Sequence, residues 1–250
     1  MTPLDAVAIA AAGLAAGAIN TIVGSGSLIT FPTLLGVGLG AVPANVSNTI
    51  GLAPGSASGA IGYRRELAGQ RRRVLLLMPA AVFGGVTGAV LLLIAPGAFR
   101  DVVPFLILLA VALVLAQPHV ARRRLERGTM REHPGALLHA GTFLTAIYGG
   151  YFGAAQSVMY LALLGITIDD DLQRLNAAKN VIAAAVNGVA AVVFLFSGHV
   201  VWLAVLLLLV GSTIGGQIGA VLGRRIPAGA LRIAVAVVGT AVAIDLLVSG

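Results

Sequence analysis

Five long apolar runs constrain the fold of this chain more than any other feature. They cover residues 4–23, 74–95, 102–116, 200–222 and 233–248. A helix rises about 1.5 Å per residue, so about 20 apolar residues cross the roughly 30 Å of hydrocarbon in a bilayer. Only 10% of the residues are charged, against about 25% in soluble domains. The sequence therefore predicts an all-α polytopic protein, multi-pass in the cell inner (plasma) membrane.

The net charge of +7 comes from arginines that cluster in short loops between the apolar runs. Such arginines are topology signals and contacts for anionic lipid head groups, so the lipid bilayer is an expected partner and nucleic acid is not. The sequence leaves open whether the chain forms a homodimer. Residues 1–5 carry no basic stretch, so we expect the first run to remain as a helix. The absence of cysteine excludes disulfides and iron–sulfur clusters, and we expect no metal or other cofactor.

The first apolar run is interrupted by the sequence GSGS at residues 24–27, after which a shorter apolar stretch resumes. The sequence GAAQ at residues 153–156 stands at the equivalent place in the second half. Glycine and serine weaken a helix, and irregular backbone at membrane depth is tolerated only inside protein or beside a water-filled cavity. The pattern predicts a broken helix or a hairpin at the front of each half.

The second half of the chain repeats the first. Residues 84–91 match residues 215–222 at six of eight positions, an offset of 131, and other matches follow at offsets of 129 to 132. Small-residue motifs recur by chance in membrane helices, so the colinear order of the matches carries this inference. We expect a first repeat at residues 1–117, a basic cytoplasmic linker at 118–134 and a second repeat at 135–250, each with its front element followed by three transmembrane helices.

The basic loops indicate that the two repeats have inverted topology. The loop after Tyr63 holds five arginines and its equivalent at residues 197–199 holds none. The loop at residues 96–101, expected to be a turn, holds one arginine, whereas its equivalent at residues 224–232 holds three. Because cytoplasmic loops are enriched in Lys and Arg, equivalent loops should face opposite sides of the membrane. Each half then crosses an odd number of times, with both chain ends outside.

Lys179 is the only lysine of the chain, and it opens an apolar run. A charge near the centre of a membrane helix costs on the order of 3 kcal/mol or more and marks a functional site by default. An anion is its natural partner. The alternative is structural: Lys179 could reach the membrane interface, or pair with one of the three aspartates at residues 169–171.

The polar residues around the two breaks form the candidate site. Half-helix N-termini carry unpaired N–H groups and bind oxyanions, as in transporters built from inverted repeats. The nine acidic residues all lie near the ends of apolar runs or in loops, so no coupling ion and no catalytic residue is evident. Single hydroxyls often bond only to their own helix. The predicted substrate-binding residues are Asn20, Ser25, Gly26, Ser27, Asn48, Thr49, Gln156, Ser157, Lys179 and Asn180.

Several motifs resemble the sulfite exporter family, TauE/SafE. They are GAINTIVGSGSLITFP at residues 17–32, SNT at 47–49, AK at 178–179, FSG at 196–198 and GGQIGA at 215–220. The resemblance covers nearly the whole chain in order. It implies export of sulfite, sulfoacetate or a related organosulfonate, so the expected partner is a small anionic substrate. An anion channel, or a membrane-embedded enzyme acting on a lipid phosphate, would be the alternative to a transporter working by alternating access.

Overall fold

The computed structural model describes residues 1–125, 135–222 and 228–249, which form ten α-helices. In chain order they are α1 (Pro3–Ile22), α2 (Ser27–Gly36), α3 (Ala41–Gly62), α4 (Arg71–Ile94), α5 (Pro96–Leu125), α6 (Ala136–Tyr151), α7 (Gln156–Thr167), α8 (Leu172–Leu195), α9 (Trp202–Leu222) and α10 (Ala228–Ser249). Five helices are long and apolar enough to cross a membrane, namely α1, α4, α5, α8 and α9. The predicted all-helical class is confirmed for the described residues.

The boundary between α4 and α5 differs from the sequence-based expectation. α4 ends at Ile94 and α5 begins at Pro96, so the turn predicted at residues 96–101 is wrong. Proline suits the first position of a helix because its φ is already helical and its missing N–H would be unpaired there anyway. α5 then continues to Leu125, so the linker predicted from residue 118 begins as helix. The rest of that linker (126–134) and residues 223–227 lie outside the described ranges.

Each front element folds back on itself as a helical hairpin. In the first, Gly26 packs so closely on the backbone of Ala16 that a side chain at residue 26 would overlap it. In the second, the hydroxyl of Tyr160 donates a hydrogen bond to the carbonyl of Thr142 at 3.4 Å. In one continuous helix, residues this far apart in sequence would be separated by about 15 Å or more. The interruptions read from the sequence are therefore turns that bring two helical arms side by side.

The helices of one half pack against those of the other half in matched pairs. α1 packs on α9 as α6 packs on α4, and α3 packs on α9 as α8 packs on α4. α3 also contacts α8, and α5 contacts α10. Exchanging α1–α5 with α6–α10 leaves these principal contacts unchanged, as expected for two copies of one unit packed about a two-fold axis.

The repeated glycine motif lies at two of these crossings. Gly84 and Gly88 of α4 face the backbone of α6, where a Cβ on Gly88 would overlap the carbonyl of Ile147. Gly215 and Gly219 of α9 face the backbone of α1 in the same way. Small residues let helix backbones approach closely in a membrane, where packing drives helix association. The motif therefore serves helix packing between the halves.

A cluster of charged side chains joins the two halves at the arginine-rich end of α4. Asp170 accepts a hydrogen bond from Arg73 of α4 and another from Arg174 of α8, both at 2.7 Å. Burial acts to raise the pKa of Asp170, but the hydrogen bonds from the two guanidinium groups outweigh it and hold that pKa below its ordinary value. The Gln70 side chain adds a hydrogen bond to the carbonyl of Arg174 at 2.8 Å. At this end of the molecule, polar contacts therefore join the two halves.

Candidate functional site

A small polar cavity lies where the turns of the two hairpins approach each other, bounded by α3 and α8. Its volume of about 10 Å³ is close to the space that one water molecule needs. Five predicted binding residues are in its lining: Asn20, Ser27, Gln156, Ser157 and Asn180. The other residues of the lining are Thr21, Gly24, Ser56, Gly153, Ala183 and Asn187.

The turns of the two hairpins touch each other at one side of the cavity. Gly24 has a φ of 94°, a left-handed conformation that favours glycine, and a Cβ there would overlap the side chain of Ser157. In the other turn Gly153 has a φ of 78° and Ala155 a φ of 59°. Because Ala155 precedes the first residue of α7, its left-handed backbone sets the direction in which that helix leaves the turn.

Side chains of α8 cap the end of α1 beside the cavity. Asn176 donates to the carbonyl of Thr21 at 3.3 Å, and the Lys179 ammonium donates to the carbonyl of Asn20 at 3.4 Å. The C-terminal carbonyls of a helix carry partial negative charge, so a cation is favoured there. The other half repeats the first contact, since Asn45 of α3 donates to the carbonyl of Tyr151, the last residue of α6, at 3.0 Å. Each half thus donates a hydrogen bond to the front hairpin of the other half.

Lys179 is completely buried, with none of its surface exposed. Its ammonium binds the carbonyl of Asn20, and among the described residues it forms no ion pair with the aspartates at residues 169–171. The structural alternative, in which Lys179 reaches the interface or one of those aspartates, is therefore wrong. Its one hydrogen bond to the described residues is the long one to the carbonyl of Asn20, a residue that lines the cavity. The ammonium thus lies one residue layer behind the cavity wall.

Two buried hydrogen-bond donors at the site have no partner among the described residues. They are the Ser25 hydroxyl, which is 0% exposed, and the Nδ2 group of Asn180 in the cavity lining. A buried donor without a partner costs about 1–3 kcal/mol, so a ligand or water is the expected partner. The backbone N–H of Gly26 is not such a donor, because the side chain of Asn20 accepts its hydrogen bond at 2.7 Å. The expectation that the break leaves its N–H groups free is wrong at this residue.

A hydrogen-bonded chain of side chains crosses the cavity from one half to the other. The Gln156 amide donates to Asn187 at 2.5 Å, and the Asn187 amide donates to the Ser56 hydroxyl at 2.9 Å. Ser56 and Asn187 are 131 residues apart, the same offset at which residues 84–91 match residues 215–222 in the sequence. Sequence reasoning missed both of them. They could have been found by searching the apolar helices for an amide residue that lies 131 residues after a serine.

The remaining predicted residues lie near the cavity without lining it. Asn48 and Thr49 are buried in α3, and the Asn48 side chain accepts a hydrogen bond from the hydroxyl of Thr30 at 2.5 Å. Ser25 and Gly26 belong to the turn between α1 and α2. The predicted set therefore divides into five residues that line the cavity and five that do not.

The chemistry of the cavity is that of neutral hydrogen-bonding groups. Its lining consists of hydroxyls, carboxamides and small residues, with the Lys179 ammonium behind it. Within the described ranges, no group of His, Cys, Asp or Glu side chains is arranged to hold a metal ion. Hydroxyl and amide donors beside a positive charge can bind an oxyanion.

Comparisons with known proteins agree with a membrane function. The model of the family described as "Sulfite exporter TauE/SafE" matches residues 9–246. The chain is 26% identical to "Probable membrane transporter protein YfcA" of Escherichia coli K12, over 82% of this chain and 75% of that protein. It is 27% identical to "Probable membrane transporter protein ORF9" of Sinorhizobium sp., over 94% of this chain and 90% of that protein. No solved structure matches the chain.

Proposed function

The chain belongs to the sulfite exporter TauE/SafE family, and on that premise we propose that it exports a small sulfur-containing oxyanion from the cell. The substrate is sulfite, sulfoacetate or a related organosulfonate, and the protein lies in the inner (plasma) membrane. It is a membrane transporter rather than an enzyme, and it moves its substrate by alternating access.

One observation carries this proposal: Asn180 in the cavity lining and Ser25 in the adjoining turn are buried donors without partners among the described residues, and the buried ammonium of Lys179 bonds to the lining residue Asn20. A sulfur oxyanion offers several acceptor oxygens and a negative charge, so it satisfies both donors and the charge of Lys179 at once. A charged acceptor strengthens each hydrogen bond, to about 1.5–3 kcal/mol.

Alternating access is supported by the size of the cavity and by the matched packing of the halves. A cavity with room for about one water molecule is too small for a sulfur oxyanion, so the described state is closed and must rearrange to admit substrate. Two inverted repeats, residues 1–117 and 135–250, supply that rearrangement when they exchange conformations. The arginine-rich parts of the chain at residues 64–73, 118–134 and 224–232 then face the cytoplasm, as their arginine content favours.

Export has a driving force without any coupling ion. Moving one negative charge outward across about 100 mV, inside negative, is favourable by about 2.3 kcal/mol. A carboxylate relay is therefore not required for net efflux.

A transport assay in proteoliposomes tests the proposal. Vesicles loaded with unlabelled sulfite should accumulate radiolabelled sulfite, with a rate that saturates and with competition from sulfoacetate. Asn180→Ala removes an unpaired donor of the cavity, so it should weaken sulfite affinity about tenfold or more. Thr87→Ala is the control, because Thr87 is exposed on α4 and bonds only to its own helix, at Phe83.

Each outcome of that assay has a definite meaning. Saturable counterflow supports a carrier, whereas flux that never saturates and shows no counterflow would assign a channel. An equal loss of sulfite affinity in both variants would show that the cavity is not the binding site. Absence of sulfite and sulfoacetate transport by folded protein would overturn the substrate class.

A further inference from the structure

A second cavity, remote from the hairpin turns, opens at the arginine-rich end of α4. It has a volume of about 300 Å³, and its apolar lining comes from the loop before α4, from α4 and from α8: Leu67, Val74, Leu75, Met78 and Val181. A void of this size lies in the range of small-molecule sites. Nothing in the transport proposal uses it.

One charged side chain stands at the mouth of this groove. Arg71, Val74, Leu75 and Met78 recur at helical spacing, so the guanidinium of Arg71 lies at one end of an apolar stripe along α4. Arg71 is exposed, and it makes no ion pair with any side chain in the described part of the chain. Its neighbour Arg73 is occupied by Asp170. The groove therefore combines an apolar interior with one unpaired positive charge at its rim.

The other polar group of the lining is already satisfied within the protein. The amide of Gln70 donates to the carbonyls of Glu66 and Arg174, and its oxygen accepts from Arg73. A polar solute would thus find no free partner inside the groove. The lining of the groove is therefore suited to a molecule with a long apolar chain and an anionic head.

We propose that the groove binds one acyl chain of an anionic phospholipid whose phosphate lies on the guanidinium of Arg71. The order of groups along α4, arginine first and apolar residues after it, is the order of phosphate and acyl chain from the surface of a leaflet inward. An arginine near the membrane surface contributes about 1 kcal/mol toward an anionic lipid. This site is independent of the transported substrate, so it stands or falls separately from the transport proposal.

The test uses the purified full chain in detergent micelles supplemented with phosphatidylglycerol or with phosphatidylcholine of the same acyl chains. The melting temperature measures binding, because a ligand of the folded state raises it, and native mass spectrometry counts the retained lipids. Phosphatidylglycerol should raise the melting temperature more than phosphatidylcholine does. Inorganic phosphate should have no effect, and protection by phosphate alone would overturn the part assigned to the acyl chain.

Neighbouring residues on α4 supply matched controls. Arg71→Gln should weaken phosphatidylglycerol binding about fivefold, whereas Arg72→Gln removes the same charge from an exposed residue outside the lining and should leave binding unchanged. Leu75→Trp should fill the groove and abolish the bound lipid. Leu76→Trp, at a side chain that is 44% exposed and outside the lining, should not. Equal effects within either pair, or equal binding of the two lipids, would overturn the proposal.

Discussion

Gly88 lies where α4 crosses α6, and its replacement by alanine tests how closely the two halves pack. A Cβ at this position would overlap the carbonyl of Ile147 and lie 2.7 Å from the backbone nitrogen of Tyr151. An ordinary van der Waals contact begins at about 3.4 Å, so the contact with Tyr151 alone requires the backbones to separate by about 0.7 Å, and the closer overlap with Ile147 requires more. Overpacking of this kind costs about 1–3 kcal/mol of unfolding free energy.

Gly188 provides a matched control inside α8. Nothing lies within 4 Å of the Cβ that alanine would add there. In both variants alanine favours the helix over glycine by about 1 kcal/mol, so this effect cancels when the variants are compared. Gly188→Ala should be neutral or slightly stabilised, and Gly88→Ala should be less stable than Gly188→Ala by about 1–3 kcal/mol.

Unfolding in mixed micelles, followed by circular dichroism as the fraction of denaturing detergent rises, measures this difference. The separation of α4 from α6 should also displace Tyr151, whose carbonyl holds Asn45, so transport should fall in Gly88→Ala alone. Equal stability of the two variants would refute the packing described for the repeated glycine motif.

Two further predictions concern the ion cluster and the cavity. Because the pKa of Asp170 is held below its ordinary value of 3.8, its contribution to stability is present above that pH and is lost as the pH falls through the lowered pKa. The unfolding free energy of the wild type should therefore be about 1 kcal/mol higher than that of Asp170→Asn at neutral pH. The melting curves of the two proteins should converge in acid. A difference in stability that persists in acid would refute the ion-pair account. Ser56→Ala leaves the Asn187 amide without its acceptor and so adds an unpartnered donor to the cavity lining. It should strengthen sulfite binding by up to about tenfold in titrations, and binding no tighter than in Thr87→Ala would contradict the role assigned to unpartnered donors.

Much of the fold follows from the sequence because membrane physics leaves few choices. The lengths of the apolar runs specify spanning helices, and glycine-rich interruptions at residues 24–27 and 153–156 specify turns within protein. The glycine pairs at residues 84–85 and 215–216 indicate close helix crossings for a similar reason. Each of these inferences depends on local composition. The runs at residues 4–23, 74–95, 102–116 and 200–222 fall in helices long enough to span, whereas the run at 233–248 falls in α10, whose described apolar part is shorter.

The details of the site depend on packing that no local pattern reveals. Ser56 and Asn187 are single polar residues on long helices, and they meet only because α3 packs against α8. The use of the Gly26 N–H by Asn20 depends on the conformation of the turn. The isolation of Lys179 in an apolar run led to its prediction as a site residue, which stays a prediction, whereas its hydrogen bond to the carbonyl of Asn20 could not be read from the sequence.

The binding of sulfite to Lys179→Gln tests the central claim most directly. Glutamine removes the positive charge and keeps an amide that can donate to the carbonyl of Asn20, so the variant should fold with unchanged or higher stability, since burial of a charge is costly. Sulfite should raise the melting temperature of the wild type, as a ligand of the folded state does, and should leave that of the variant unchanged. An equal rise in both proteins would contradict the account, because the buried ammonium would then take no part in anion binding.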